Sequence, residues 1–388
     1  MVAHSGVGQF LKLLVVSPHL EAFVRDQLES VLPLVGDAEV LLLRPRWAIR
    51  DPHETSVIAE GRTLAVPRRT FRSPLLATRT PVPLAAWSRA VSVVRRTLRE
   101  GRFELVHAHF LYPSGAVAAL AARAEHVPCV VTGHGFDVYA LPFRSRRWRR
   151  AVVGPLQDCA AVMTVSERNA SLLRQLGVRA RTIHVIPNGY DPTLFRPGPR
   201  REARERLGIE DAAPVVLSVG HLVQVKGFDL ALHALARLPW AVRFVLVGRG
   251  PERARLVRLA RDLGMEDRVS FAGEVSHAAV ADYIRAADIV LISSRSEGNP
   301  TILFEALGCG RPVVATSVGG IPEILDAGSG VLVPPGDAAA IARALDRALK
   351  NDWSSGTIAA RATQWTWPRL SRDLAQLYHE AVATGGRV

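Results

Sequence analysis

The stretch SRSEGNPTILFEALG, residues 294–308, sets seven residues between two carboxylates, Glu297 and Glu305, and places a helix start between them. Asn299 suits the N-cap, Pro300 the first helical position, and Gly308 and Gly310 flank a stop, so the spacing predicts a helix over about 300–309. An apolar run at 287–292 reads as a strand feeding this turn, which puts the pair at the carboxyl edge of a parallel sheet, where open α/β proteins bind ligands. Backbone N–H groups at such a helix start can hold a phosphate, each charge-assisted hydrogen bond contributing about 1.5–3 kcal/mol. Glu297, in the loop, is then placed to reach a sugar-sized group beside the phosphate. Glu305, further along the helix, is placed to accept both hydroxyls of a ribose diol.

EGNP at 297–300, followed by ALGCGRPVVATSVGGIPEI at 306–324, resembles the nucleotide-sugar site of the family 4 retaining glycosyltransferases, the glycosyltransferase group 1 type, whose signature is Glu, seven residues, Glu. IPNGYD at 186–191 resembles the interdomain segment of the same family, and the surrounding 187–200 has the four prolines and two glycines of a linker. The resemblance implies the GT-B fold: two Rossmann-like domains facing a central cleft, with a C-terminal helix crossing back to the first. The expected domains are an acceptor-binding one over 1–195, a nucleotide-sugar-binding one over 196–364, and the returning helix over 365–388, where Trp365 and Trp367 precede an amphipathic run.

The wider chain agrees with an α/β reading. Strand-like runs recur at 11–17, 39–43, 105–107, 129–132, 161–165 and 183–186, then at 215–219, 243–247, 269–271, 289–292, 312–315 and 330–333, with helical patterns between most of them. Alternation of this kind predicts parallel sheets with right-handed crossovers. Residues 51–83, rich in Pro, Arg and Thr, read as loop with short strands. With 388 residues and 48% hydrophobic content the chain can bury two cores of ordinary size. Its three cysteines have no metal-ligand spacing, no run approaches ~20 apolar residues, and the N-terminus lacks the order of a signal peptide. The expected setting is the cytoplasm, including the inner face of the membrane as a peripheral protein.

Further residues take roles that the resemblance implies. In SVGHLVQVKG, 218–227, Lys226 is expected to meet a diphosphate as a point charge, and His221 stands where the family commonly has an arginine. Gly250, in the VGRGP turn at 247–251, is expected to border the nucleotide base, beside Arg249 where the family often has an acid. With Asn299, Pro300, Thr301 and Glu305 these complete the expected donor set. VTGHGFD at 131–137 resembles the family's His-Gly-x-Asp segment, which makes His134 a candidate to orient the transferred sugar alongside Glu297 as the catalytic pair. Asp137, His109 and Ser17 are candidates on the acceptor side.

The chain contains no Asp-x-Asp, so no metal and no cofactor are expected, the sugar nucleotide being a co-substrate. Lys226, the helix start and the pair Gly319 and Gly320 would answer the charge of the leaving nucleotide. The implied activity is a retaining, metal-independent hexosyl transfer to a lipid-linked or saccharide hydroxyl acceptor in polysaccharide or glycolipid precursor synthesis. A nucleotide-sugar epimerase of the same architecture is the alternative. A nucleic-acid-binding protein is weaker still, because the arginines are dispersed and no binding motif is present. Residues 1–195 hold 25 Lys and Arg against 15 Asp and Glu, whereas the remainder is nearly balanced. Five of those arginines lie in PFRSRRWRR, 142–150, at an expected helix start whose dipole they oppose, and an anionic membrane surface is the expected partner.

Overall fold

The computed structural model describes residues 10–44, 57–59, 62–64, 68–72, 87–179, 183–210 and 213–385. The chain divides into two compact units, Met1–Pro187 with Trp367–Val388, and Asn188–Thr366. The first division falls ahead of the expected residue 195, because Tyr190 and Phe195 are buried in the apolar core of the second unit. The second falls after the expected 364: Trp365 packs against that same core and Thr366 bridges to Tyr190, so the long helix that follows begins at Trp367.

The strands of the first unit are β1 (Leu11–Ser17), β2 (Gly36–Arg44), β3 (Val57–Ala59), β4 (Arg62–Leu64), β5 (Arg68–Arg72), β6 (Leu105–His109), β7 (Cys129–Gly133), β8 (Ala161–Thr164) and β9 (Ile183–Val185). Among the described residues they form a seven-stranded parallel sheet in the order β5-β2-β1-β6-β7-β8-β9, with β3 and β4 as a separate antiparallel pair. β6, β7 and β8 are buried at every position, as a parallel sheet covered on both faces requires. Helix Trp367–Gly385 covers part of it: Leu370, Leu374 and Tyr378 share a cluster with Leu11, Leu13, Leu105 and Val130. Most of 51–83 lies outside the described residues; the part described holds β3, β4 and β5.

In the second unit β10 (Val215–Val219), β11 (Arg243–Val247), β12 (Val269–Gly273), β13 (Ile289–Ile292), β14 (Val313–Thr316) and β15 (Gly330–Val333) form a six-stranded parallel sheet in the order β12-β11-β10-β13-β14-β15. Serine or aspartate caps start several of the surrounding helices; Ser276 accepts from Ala279 N–H and Asp337 from Ala340 N–H. Both sheets run outward in two directions from an inner pair, β1 with β6 and β10 with β13. At such a reversal the loops leaving the two inner strands diverge to opposite faces and leave a crevice at the carboxyl ends. The order of elements therefore singles out, in each unit, the loops after those strands.

Candidate active site

In the second unit the loop after β10 carries Lys226 and the loop after β13 carries Glu297. Lys226 Nζ donates to Glu297 Oε1 at 2.7 Å, and Ser294 Oγ donates to the same oxygen at 2.6 Å. The two loops are also locked through the backbone: Arg295 N–H donates to Val225 C=O at 2.7 Å, and Ser293 Oγ to Lys226 C=O at 3.1 Å. Arg295 clamps Asp229 with two hydrogen bonds of 2.8 Å. Burial pushes the Asp229 carboxyl up, but the Arg295 hydrogen bond and charge, aided by Arg255, outweigh it and hold the group below the usual carboxylate range. Glycine is required where backbones meet. A side chain on Gly319, at φ +57°, would lie 2.3 Å from Glu297 C=O, and the neighbouring Gly320 N–H donates to Gly298 C=O at 2.7 Å.

The helix between the carboxylates spans Thr301–Gly308, so Pro300 takes the capping position that the spacing assigned to Asn299. Pro300 is extended, at ψ 126°, and Asn299 holds the approach through its carbonyl, which accepts from Asn188 Nδ2 at 2.6 Å. Glu305 is buried within the helix, and its Oε1 meets His277 Nε2 at 3.0 Å while the His277 ring stands edge-on to Phe195. One of the two oxygens expected to grip a diol is therefore shared with an imidazole. Gly250 has a backbone role: a side chain there would lie 2.5 Å from Leu222 C=O, where the 248–250 turn crosses the loop after β10. His221 is exposed, and Arg249 faces solvent in an ion pair with Glu274.

In the first unit a buried chain of imidazoles stands at the ends of β6 and β7. His107 Nδ1 meets Tyr378 Oη at 2.6 Å and its Nε2 meets Thr132 Oγ1 at 2.7 Å. His109 Nδ1 lies 3.1 Å from His134 Nε2, and the outer atoms of that pair, His109 Nε2 and His134 Nδ1, are buried with no hydrogen-bond partner among the described residues. Phe23 and Phe110 flank the His134 ring at 4.8 and 4.7 Å between centroids. Phe110 is held at φ 67°, unusual for a bulky side chain, by hydrogen bonds from its N–H to Thr132 C=O and from Gly115 N–H to its own carbonyl. Burial lowers His107 and His134 to about 3, and lowers His109 well below the ordinary range with help from the two neighbouring rings. All three are neutral at physiological pH, so a single proton sits between His109 and His134.

Asp137 ties two loops together: its Oδ1 accepts from Gly135 N–H at 2.8 Å and His134 N–H at 3.2 Å in its own loop, and its Oδ2 from Leu111 N–H at 2.7 Å in the loop after β6. Ser17 is fully buried and donates to His19 C=O at 2.6 Å. Of the sequence-derived candidates, the fold thus brings Lys226 to Glu297 and His109 to His134, while Asp137 and Ser17 shape the loops that carry the others. Ser294, His277 and Tyr378 were not singled out for these contacts. Ser294 stands three residues before Glu297 and was within reach of a spacing argument; His277 and Tyr378 reach their partners across 28 and 271 residues and carried no local signal.

The family profile described as glycosyl transferases group 1 matches residues 199–365, and that of glycosyltransferase family 4 matches 39–194. The chain belongs to this family of glycosyltransferases and has the GT-B fold of two Rossmann-like domains. That assignment sets aside the epimerase and nucleic-acid readings. Among its relatives, a D-inositol 3-phosphate glycosyltransferase of Acidothermus cellulolyticus is 32% identical over 80% of this chain and 74% of its own length. A protein of the same description from Xylanimonas cellulosilytica is 32% identical over 89% of this chain and 88% of its own. Anabaena HepE, solved in complex with UDP, superposes with a TM-score of 0.77 at 24% identity over 94% of this chain and 99% of its own. It has also been solved with UDP-glucose.

The buried histidines make stability depend on pH. Above the ordinary value of 6.5 both folded and unfolded chains carry neutral imidazoles, so these groups add no slope. Below it the unfolded chain takes up protons that the folded sites refuse until about pH 3. The unfolding free energy should then fall by about 1.4 kcal/mol per pH unit for each such histidine. Urea titrations at neutral and mildly acid pH should give a shallower decline for His107→Gln than for the native chain; parallel declines would count against burial as the cause.

Proposed function

We propose that this protein transfers a hexose from a nucleotide diphosphate sugar to a hydroxyl acceptor with retention at the anomeric carbon and without a metal ion. The observation that carries this reading is the junction of Lys226 and Glu297 at the reversal point of the second sheet, directly before the helix that presents Glu305. Lys226 offers its ammonium to the diphosphate, the N–H groups of Thr301 and Gly319 meet phosphate oxygens while Gly320 N–H holds the turn on Gly298 C=O, and Glu305 receives the ribose. When Lys226 turns to phosphate, Glu297 keeps Ser294 as its donor and is held in place to accept hydroxyls of the sugar.

The sequence offers no nucleophilic carboxylate for the opposite face of the sugar, so a same-face route fits best. The departing phosphate oxygen takes the acceptor proton while Glu297 and His134 orient the sugar. A neutral His134 suits that role. With its Nε2 engaged by His109, the unpartnered Nδ1 is the atom left to bond a sugar hydroxyl, and the shared proton decides whether it donates or accepts. The solved UDP and UDP-glucose complexes of HepE support a uridine nucleotide donor as the first to test. For the acceptor, a lipid-linked or saccharide hydroxyl follows from the family resemblance. A phosphorylated inositol is the second reading, favoured by the relatives that carry that description. A thermal-shift screen of nucleotide diphosphates, followed by transfer assays on both acceptor classes, tests the reading; absence of stabilisation by any nucleotide would overturn it.

Glu305→Ala should weaken donor binding and cut transfer at least about tenfold, equivalent to 1.4 kcal/mol, whereas Glu297→Gln should reduce turnover more than nucleotide diphosphate affinity. Calorimetric binding beside initial rates separates the two. Activity should survive a chelator; complete loss restored by magnesium would place a metal on the diphosphate. Proton NMR of the new linkage should give the donor's anomeric configuration, and an inverted product would exclude the same-face route.

A further inference from the structure

Few large apolar side chains of the described residues are exposed, and two of them, Phe136 and Phe143, each 52% accessible, stand beside one arginine cluster. Phe136 opens the short helix Phe136–Tyr139 and Phe143 ends the turn Leu141–Phe143. Helix Arg146–Leu156 follows, capped by Ser145, whose hydroxyl accepts from Trp148 N–H. Its inner face, Trp148, Ala151, Val152 and Leu156, is buried in the core, which turns Arg146, Arg147 and Arg150 outward. The side chains of those three make no hydrogen bond or ion pair among the described residues. Arg149 differs, since it donates to Leu176 C=O at 3.1 Å. The Arg144 guanidinium lies 5.1 Å from the Phe136 ring and 5.9 Å from the Trp148 ring. It ties the exposed phenyl to the helix.

The first turn of that helix holds no acid, so its N-terminal dipole and its arginines repel one another, and no acid among the described residues pairs with Arg146, Arg147 or Arg150. An external anion would remove the conflict and use the free guanidinium forks, which match phosphate geometry. Two phenyl rings set beside the charges add a requirement that a soluble phosphate does not meet: they gain only where water is left behind. Phosphate at the surface with hydrocarbon just beneath it describes a phospholipid bilayer. The excess of basic residues in 1–195 extends the same field. We propose that Phe136, Phe143, Arg144, Arg146, Arg147 and Arg150 form a surface that docks this unit on an anionic phospholipid bilayer, the rings entering the interface and the guanidinium groups on headgroup phosphates. Phe136 stands two residues from His134. Docking there sets the acceptor-side loop at the membrane, where a lipid-borne hydroxyl is reached without leaving the bilayer. The surface does not depend on the donor assignment, and its test does not measure transfer.

Sedimentation with vesicles of phosphatidylcholine, with and without phosphatidylglycerol, decides it. The native chain should pellet with the anionic vesicles at low salt, release at high salt, and stay in solution with phosphatidylcholine alone. Replacing Arg146, Arg147 and Arg150 by Ser should lower partitioning about a hundredfold, near fivefold per arginine, and replacing the same three by Lys should keep most of it. Phe136→Ser with Phe143→Ser should lower it at least about tenfold at unchanged charge. Matching thermal midpoints establish that each variant is folded. Equal pelleting with neutral vesicles, indifference to the arginine replacements, or indifference to the phenylalanine replacements would each overturn the proposal. Retention on heparin without binding to anionic vesicles would do the same and identify a soluble polyanion.

Discussion

The second unit is organised by one junction, the loop after β10 held against the loop after β13. Arg295 ties it through its backbone to Val225 and through its guanidinium to both oxygens of Asp229, and Ser293 adds a bond to the Lys226 carbonyl. These contacts exist because β10 and β13 are parallel neighbours in register, Val216 beside Ile289 and Leu217 beside Val290, so their carboxyl ends open at the same edge. Lys226 and Glu297 meet as a consequence. The ammonium and the carboxylate, 2.7 Å apart, are carried by two loops whose backbones are hydrogen-bonded to each other.

Close approach has a cost that only certain residues permit. Gly227, Gly248, Gly250 and Gly319 all sit where a side chain would strike the backbone of a neighbouring loop. These glycines, of which Gly250 and Gly319 were expected to meet the donor, are therefore first a packing requirement: they let four loops converge on one edge of the sheet. Ligand contact follows from that convergence and is not needed to explain the residues.

The first unit answers a different problem. Three histidines are buried on or beside β6 and β7 in a setting that makes protonation unfavourable, and each inner nitrogen is satisfied by a neutral partner, Tyr378, Thr132 or a second histidine. The helix Trp367–Gly385 is essential to this arrangement, since it supplies the tyrosine as well as the apolar face that seals β1 and β6. Of the ring nitrogens of these three histidines, the outermost on His109 and His134 lack a hydrogen-bond partner among the described residues, a cost that the fold carries at this point.

Alternation of apolar runs with helical patterns, and the linker composition around 187–200, determined two parallel-sheet units, because strand and helix periods are local properties of the chain. The Glu-to-Glu spacing across a helix start was equally local, and with the family resemblance it picked out Glu297 and Glu305. Limits appeared wherever a residue's place depends on a distant neighbour. Asn299 looked like a cap but holds Asn188 by its carbonyl; the 190–195 segment looked like linker but is core; Ser17 looked available but is spent on its own loop, and Asp137 on its own loop and the one after β6. His277 beside Glu305 and Tyr378 beside His107 were invisible, since hydrogen bonds between residues far apart in sequence leave no periodic trace. The sequence by itself determined the alternation of strands and helices and put the Glu297–Glu305 pair at the carboxyl edge of a parallel sheet. Tertiary structure decided which side chains share a proton, a charge or a wall there, because those pairings depend on strand order and loop convergence and not on spacing along the chain.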